Sequence, residues 1–342
     1  MSSPTKLPTR TLGRNGPEIP ALGFGLMGLS AFYGTPTPDD ERFKLLDRVY
    51  ELGCTHWDTA QLYGDSEELL GRWFKETGKR NEIFLATKFG NKVSADGGRE
   101  ICNDPAYIRV AVEESLKRLG TDYIDLLYCH RFSGKTPVED IVATMKEFVD
   151  AGKVRYLGLS ECGVDTLRRA SAIHPIQAYQ IEYSPFSRDI EKPETGLLAT
   201  CRELGIATVA YSPLGRGMLT GAYKSIDDFD ENDFRRSIPR FSRENFPKNL
   251  QLVETLQEIA ARKECTSGQL VLAWMMAQGE DIFPIPGTKR IQYLEENMGA
   301  YAVRLSEPEI QEISEAIKSA EVHGTRVAER QMGYLLMDTP PL

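Results

Sequence analysis

The chain has 342 residues, with 41 lysines and arginines against 50 aspartates and glutamates, a formal charge of −9. That balance argues against nucleic acid, whose binders carry a basic surplus, and against an anionic membrane surface as partner. Hydrophobic (41%) and charged (27%) fractions are those of a globular chain rather than a disordered one, long enough for two domains or one large α/β domain.

Read in order, short β-branched runs alternate with amphipathic stretches that end at glycine. Arg14-Asn15-Gly16 marks a hairpin turn within 9–20. A first strand is expected near Ala21–Phe24. Thr37-Pro38-Asp39-Asp40-Glu41 opens a helix, with Thr37 as N-cap and acids facing the dipole, and Gly53 stops it. Strand Cys54–Asp58 follows, then helix Ser66–Thr77 up to Gly78 and strand Ile83–Lys88. Helix Pro105–Leu119 ends at Gly120 and leads to strand Ile124–His130. Thr136-Pro137 opens a helix that ends at Gly152, followed by strand Val154–Leu159. A helix near Val164–Ile173 leads to strand Ile176–Ile181, and one near Leu197–Leu204 to strand Ile206–Tyr211. After an insertion over 216–250 come a helix near Leu252–Arg262, another near Ser267–Ala277, strand Ile282–Ile285 and a helix near Tyr293–Ala302. The tail, 303–342, holds one more helix. Eight β–α units imply a parallel sheet covered by helices, and in one domain of this size they favour a closed (β/α)8 TIM barrel, class α/β. The hairpin is expected to plug its floor. The insertion and the C-terminal tail are expected to cap its active face.

Gly23-Phe24-Gly25-Leu26-Met27-Gly28 matches the dinucleotide pattern Gly-x-Gly-x-x-Gly. That pattern works where the third glycine opens a helix aimed at a pyrophosphate. Here Leu29–Pro38, with two prolines, intervenes. The glycines instead read as a tight first barrel loop that leaves room for a ligand. The longest apolar run, near Leu270–Ala277, falls short of the ~20 residues that span a bilayer and reads as a buried helix. Met1 to Lys6 carry no apolar stretch, so the expected location is the cytoplasm. Six scattered cysteines and four histidines form neither Cys-x-x-Cys nor His-Glu-x-x-His, so no metal site is expected and the thiols are expected to stay reduced.

In a barrel, chemistry sits at the C-terminal strand ends. Asp58, Lys88 and His130 end the second, third and fourth strands, and Tyr63 follows Asp58 in the same loop. A tyrosine hydroxyl is a weak acid, with a pKa of about 10, and a nearby ammonium lowers that value. The ammonium in turn needs a carboxylate if it is buried. Asp58 is therefore expected to pair with Lys88, Lys88 to activate Tyr63 as proton donor, and His130 to orient a carbonyl oxygen.

With these residues the chain resembles the aldo-keto reductase family, from about residue 12 to about 303. The matching motifs are Asp58-Thr-Ala-Gln-Leu-Tyr63-Gly64, Thr87-Lys88, the His130 strand, Gly158-Leu-Ser160, Gln180-Ile-Glu-Tyr183-Ser-Pro185, Tyr211-Ser-Pro-Leu-Gly-Arg-Gly217 and Ile285-Pro-Gly-Thr-Lys-Arg290 with Glu296-Asn297. The last runs look most like the monomeric microbial and plant branch. The resemblance implies a catalytic tetrad of Asp58, Tyr63, Lys88 and His130, and NADPH or NADP+ bound without a Rossmann unit. It implies that Ser160 and Gln180 meet the nicotinamide amide and that Tyr211 stacks on the ring. Ser212, Leu214 and Gly217 would lie near the pyrophosphate, Lys289 and Arg290 would meet the adenosine 2′-phosphate, and Gly287 and Thr288 of the same loop would also bind the cofactor. Glu296 and Asn297 would hold the adenine. Where many relatives have Asn, this chain has Glu161, an acceptor when ionised. Met27, Phe32, Tyr33 and Phe132 are the expected substrate-pocket walls. The implied activity is reduction of an aldehyde or ketone to an alcohol by hydride transfer from NADPH, with an NADP(H)-binding regulatory subunit or redox sensor of little turnover as the alternative. The expected partner is a small-molecule carbonyl compound, not nucleic acid or membrane, and the expected state is a monomer or weak homo-oligomer.

Overall fold

The computed structural model describes residues 5–93 and 98–342. Strands β1 (Thr9–Thr11) and β2 (Glu18–Pro20) form an antiparallel hairpin. Eight strands form one parallel sheet: β3 (Phe24–Gly25), β4 (His56–Asp58), β5 (Phe84–Phe89), then β8 (Ile124–Cys129), β9 (Val154–Ser160), β10 (Ile176–Glu182), β11 (Ala207–Tyr211) and β12 (Ile282–Ile285). Between β5 and β8 a second hairpin, β6 (Asn91–Val93) with β7 (Arg99–Ile101), rises from the sheet. Helices cover the outside of the sheet, among them Ser66–Thr77, Pro105–Leu119, Val138–Asp150, Val164–Ile173, Leu197–Leu204, Ser267–Ala277 and Ile291–Met298.

The sheet closes on itself. Gly23 N–H donates to Pro284 O at 2.9 Å and Gly25 N–H to Pro286 O at 3.2 Å, joining the first strand to the eighth. The glycines make this possible. A Cβ at Gly25 would stand 2.8 Å from Ile285 O, and one at Gly287 2.4 Å from Gly25 O. The Gly-x-Gly run therefore serves barrel closure, giving the last strand room to approach the first.

The period-2 alternation of a strand sorts the side chains. Trp57, Leu85, Phe89, Leu127, Cys129, Leu157, Leu159, Tyr179 and Ile181 point outward into the layer beneath the helices. Ala86, Leu126, Tyr128, Ala178, Ala207, Val209 and Phe283 fill the interior, where Leu12 and Ile19 of the N-terminal hairpin join them. Gln177 Nε2, near the start of β10, donates to Leu12 O and Arg14 O, and Arg10 donates to Gly279 O and to Ile282 O at the start of β12. The hairpin thus lies across the N-terminal ends of the strands as a floor.

Some expected boundaries move. Pro38, not Thr37, stands in the N-cap position of helix Asp39–Glu51, because the rigid Pro38 ring pre-sets the entry and no side chain caps it. The helix expected from Leu252 begins at Phe246, with a proline in its first turn. The one expected over Tyr293–Ala302 is Ile291–Met298 followed by a 3₁₀ turn. In the tail, helix Glu307–Ser319 is followed by a short helix at Glu329–Met332 and a strap across the C-terminal strand ends. Leu336 N–H donates to Glu161 O, Gly163 N–H to Met337 O and Thr166 N–H to Asp338.

Candidate active site

Strand phase decides which side chains meet. Asp58, Lys88 and His130 share parity with interior residues Ala86, Leu126 and Tyr128, so all three face the barrel mouth. Ser160, Gln180 and Tyr211 share it on the later strands. Tyr63 comes from the turn after β4, where Gln61 N–H donates to Lys88 O and Tyr63 N–H to Ala60 O. The exposures are 2% for Asp58, 1% for Lys88 and 8% for both Tyr63 and His130.

Lys88 Nζ donates to Asp58 Oδ1 at 2.5 Å, to Thr59 O at 2.8 Å and lies 3.4 Å from Tyr63 OH. Gln180 Nε2 donates to Asp58 Oδ2 at 2.8 Å. The Tyr63 and His130 rings meet edge to face, 5.9 Å apart at 86°. Burial opposes the Lys88 charge, yet Asp58 and Tyr63 more than offset it, and the ammonium is held above its usual range. For Tyr63 the balance runs the other way from the sequence expectation. Burial raises its pKa, and the downward pull of Lys88 does not cancel that rise. The phenol is therefore protonated at neutral pH, with an ammonium in place to receive the charge once the proton leaves. Burial, then the charges of Arg131 and Lys88, drive His130 well below its usual value, so the imidazole is neutral.

A second charged cluster lies beside this one. Glu161, at φ 56°, is fully buried and receives both terminal nitrogens of Arg326 at 2.7 Å. Tyr211 OH donates to Glu161 Oε1 at 2.9 Å, and Arg131 donates to Ser160 Oγ at 3.1 Å and Tyr211 OH at 3.3 Å. Burial pushes the Glu161 carboxyl up, but Arg326 outweighs it and holds the group at about 2. Glu161 therefore faces the C-terminal tail. Arg131 and Arg326 were not among the expected site residues. The first directly follows His130 in the chain; the second, 165 residues from its partner, left no local signal.

Around the mouth, Ser212, Leu214 and Gly217 follow Tyr211 in a stretch with left-handed backbone at Ser212 (φ 51°) and Gly217 (φ 96°). After β12, Thr288 Oγ1 accepts from Arg290 N, and Arg290 is the residue just before helix Ile291–Met298. Lys289 is half-buried, and its ammonium donates to the carbonyl oxygens of Tyr33 and Thr35. Among the described residues no carboxylate pairs with it within 4.0 Å. Glu296 accepts from Thr266 Oγ1 at 2.8 Å, and Asn297 is buried behind it.

The expected substrate walls separate. Phe32 stands 6.5 Å from the Tyr63 ring, edge to face. Met27 is the first residue of the short helix Met27–Ser30. Tyr33 faces Arg235, 5.1 Å from its ring, on the side of Lys289. Phe132 does not line the mouth. It is 1% exposed and packs in the outer core, because the chain turns away from the barrel after His130.

A sequence model described as the Aldo/keto reductase family matches residues 21–318. The chain is 54% identical over 339 residues to a Schizosaccharomyces pombe protein named aldo-keto reductase yakc, a name that carries NADP(+), covering 98% of this chain and 99% of that one. It is also 54% identical over 341 residues to aldo-keto reductase str7 of Strobilurus tenacellus, with 98% and 99% covered. Among solved structures, a thermostable aldo-keto reductase in complex with the inhibitor epalrestat superposes with a TM-score of 0.73 at 31% identity, over 90% of this chain and 99% of that one. A glycerol dehydrogenase from Gluconobacter oxydans, 24% identical, shares the fold with a TM-score of 0.82 over 95% of this chain and 98% of its own. Family model and relatives alike span nearly the whole barrel, and the chain belongs to the aldo/keto reductase family.

Proposed function

We propose that this protein reduces aldehydes or ketones to alcohols with NADPH, Tyr63 giving the proton. The observation that carries the reading is the buried chain Asp58–Lys88–Tyr63 opening on the same hollow as His130. The residues around the mouth fit the cofactor. Tyr211 offers an aromatic face. Gln180, its amide nitrogen spent on Asp58, keeps a carbonyl oxygen for an amide N–H. Lys289, whose ammonium donates to carbonyls and has no carboxylate within 4.0 Å among the described residues, suits a phosphate. Ser160, Ser212, Leu214, Gly217, Gly287, Thr288, Arg290, Glu296 and Asn297 would complete the set. Bound there, the cofactor supplies a hydride to the carbonyl carbon.

The protein's own part is electrostatic. A substrate oxygen placed between Tyr63 OH and the His130 ring accepts hydrogen bonds from both. As negative charge grows on that oxygen, Tyr63 transfers its proton to it. The resulting phenolate lies beside the Lys88 ammonium, which Asp58 and Gln180 keep in place. Phe32, edge to face with Tyr63, would wall one side of the hollow.

The test follows NADPH absorbance on mixing with a panel of aliphatic, aromatic and sugar-derived aldehydes. Aldehyde-dependent NADPH loss in at least one case, at matching alcohol yield, is the expected result. Tight NADPH binding with no loss across the panel would favour a nucleotide-binding regulator and overturn the proposal.

A further inference from the structure

The hairpin β6–β7 was not expected from the sequence, and it carries a residue into the site. Asn91 is the first residue of β6, three positions after Lys88. Its amide Nδ2 lies 3.2 Å from His130 Nδ1. The hairpin is tied down on both sides. Asn91 pairs with Ile101, Cys102 N–H donates to Gly90 O at 3.0 Å, and Lys92 bridges to Glu100 at 3.1 Å. His130 is equally fixed, since its N–H donates to Phe89 O, and Asn103 holds the next carbonyl, Arg131 O, at 2.9 Å. Two rigid segments thus hold the amide against the ring.

An amide N–H that points at a ring nitrogen requires a lone pair there. The ring's single proton then sits on Nε2. We propose that Asn91 is a positioning residue that fixes His130 as the Nε2–H tautomer, so that the ring presents a donor, not an acceptor, to the carbonyl oxygen. The inference rests on the reading of His130 as the group that orients that oxygen. Among the described residues, the groups facing the ring are Tyr63, Lys88, Arg131 and Asn91. None of these is an anion that would draw a second proton onto the imidazole, so the tautomer decides whether it donates.

Two measurements test this. The chain has four histidines. A long-range proton–nitrogen-15 correlation spectrum of the histidine-labelled protein, with His130→Gln for assignment, reads the tautomer without turnover. The expected signal is Nε2–H from pH 6 to 9. Asn91→Asp replaces the donor with an acceptor. Its carboxylate favours a proton on Nδ1 and raises the ring's pKa into the observable range. In that variant kcat/KM is expected to fall as pH rises through the new pKa, by roughly 100-fold, and to recover at lower pH, where both nitrogens are protonated. The KM for NADPH should stay put. A wild-type Nδ1–H signal in a working reductase overturns the positioning role alone, as does an Asn91→Asp pH profile that matches the wild type. An Nε2–H signal in a protein that reduces no carbonyl sinks the reaction, and the role with it.

Discussion

A lysine as buried as Lys88 stays charged only because its ammonium meets a carboxylate, a carbonyl and a hydroxyl at once. The same rule governs Glu161, whose charge depends on Arg326. Its pKa, held at about 2 against the usual 4.5, means that it stabilises the fold fully above pH 4.5. That contribution is lost as pH falls from 4.5 toward 2, and at 1.36 kcal/mol per unit it amounts to about 3 kcal/mol. Glu161→Gln should therefore be markedly less stable than the wild type in urea at pH 7, with the gap narrowing toward pH 3. An equal gap at both pH values would show that the pair contributes no such linkage. Asp58, Lys88 and His130 were legible in the sequence because each ends an apolar strand, where a charged residue has few bland explanations. Arg326 was not, since an irregular tail carries no periodicity to say where its side chain goes.

At the level of elements, strand phase was the most informative signal and loop structure the least. Helix Pro105–Leu119 falls where its amphipathic pattern places it, because burying one face fixes its limits, and the apolar helix Ser267–Ala277, buried nearly all round, falls where its Thr266 cap starts it. The β6–β7 hairpin escaped notice. Its strands have three residues each, too few to show alternation. Phe132 misled for a related reason, since an aromatic just past a strand end reads equally as a wall or as core. Helix Ser267–Ala277 shows how an element end supports the site. Thr266 caps it by accepting from Gln269 N–H, and its hydroxyl also holds Glu296 at the rim. Thr266→Ala should lower stability by about 1 kcal/mol, read as a shift in the thermal midpoint. An unchanged midpoint would mean that the cap is not stabilising.

The molecule as a whole carries a charge of −9, whereas the proposed cofactor is a polyanion. On the proposed reading local cations would hold it, Lys289 and Arg290 beyond β12. Binding to the folded state alone stabilises it, by ~2.7 kcal/mol at a hundred times Kd. NADP+ should thus raise the thermal midpoint more than equal NAD+, and Lys289→Ala with Arg290→Ala should erase most of that difference. A double variant that keeps the full preference would remove these residues from phosphate recognition. The barrel itself was readable from eight repeated units. Its closure through Gly23 and Gly25 was not, because the same spacing serves nucleotide loops elsewhere. The most direct test of the account is Tyr63→Phe, assayed for single-turnover carbonyl reduction alongside NADPH binding by fluorescence. The account predicts a loss of reduction of order 10²–10⁴-fold with the cofactor Kd unchanged; reduction at the wild-type rate would contradict it.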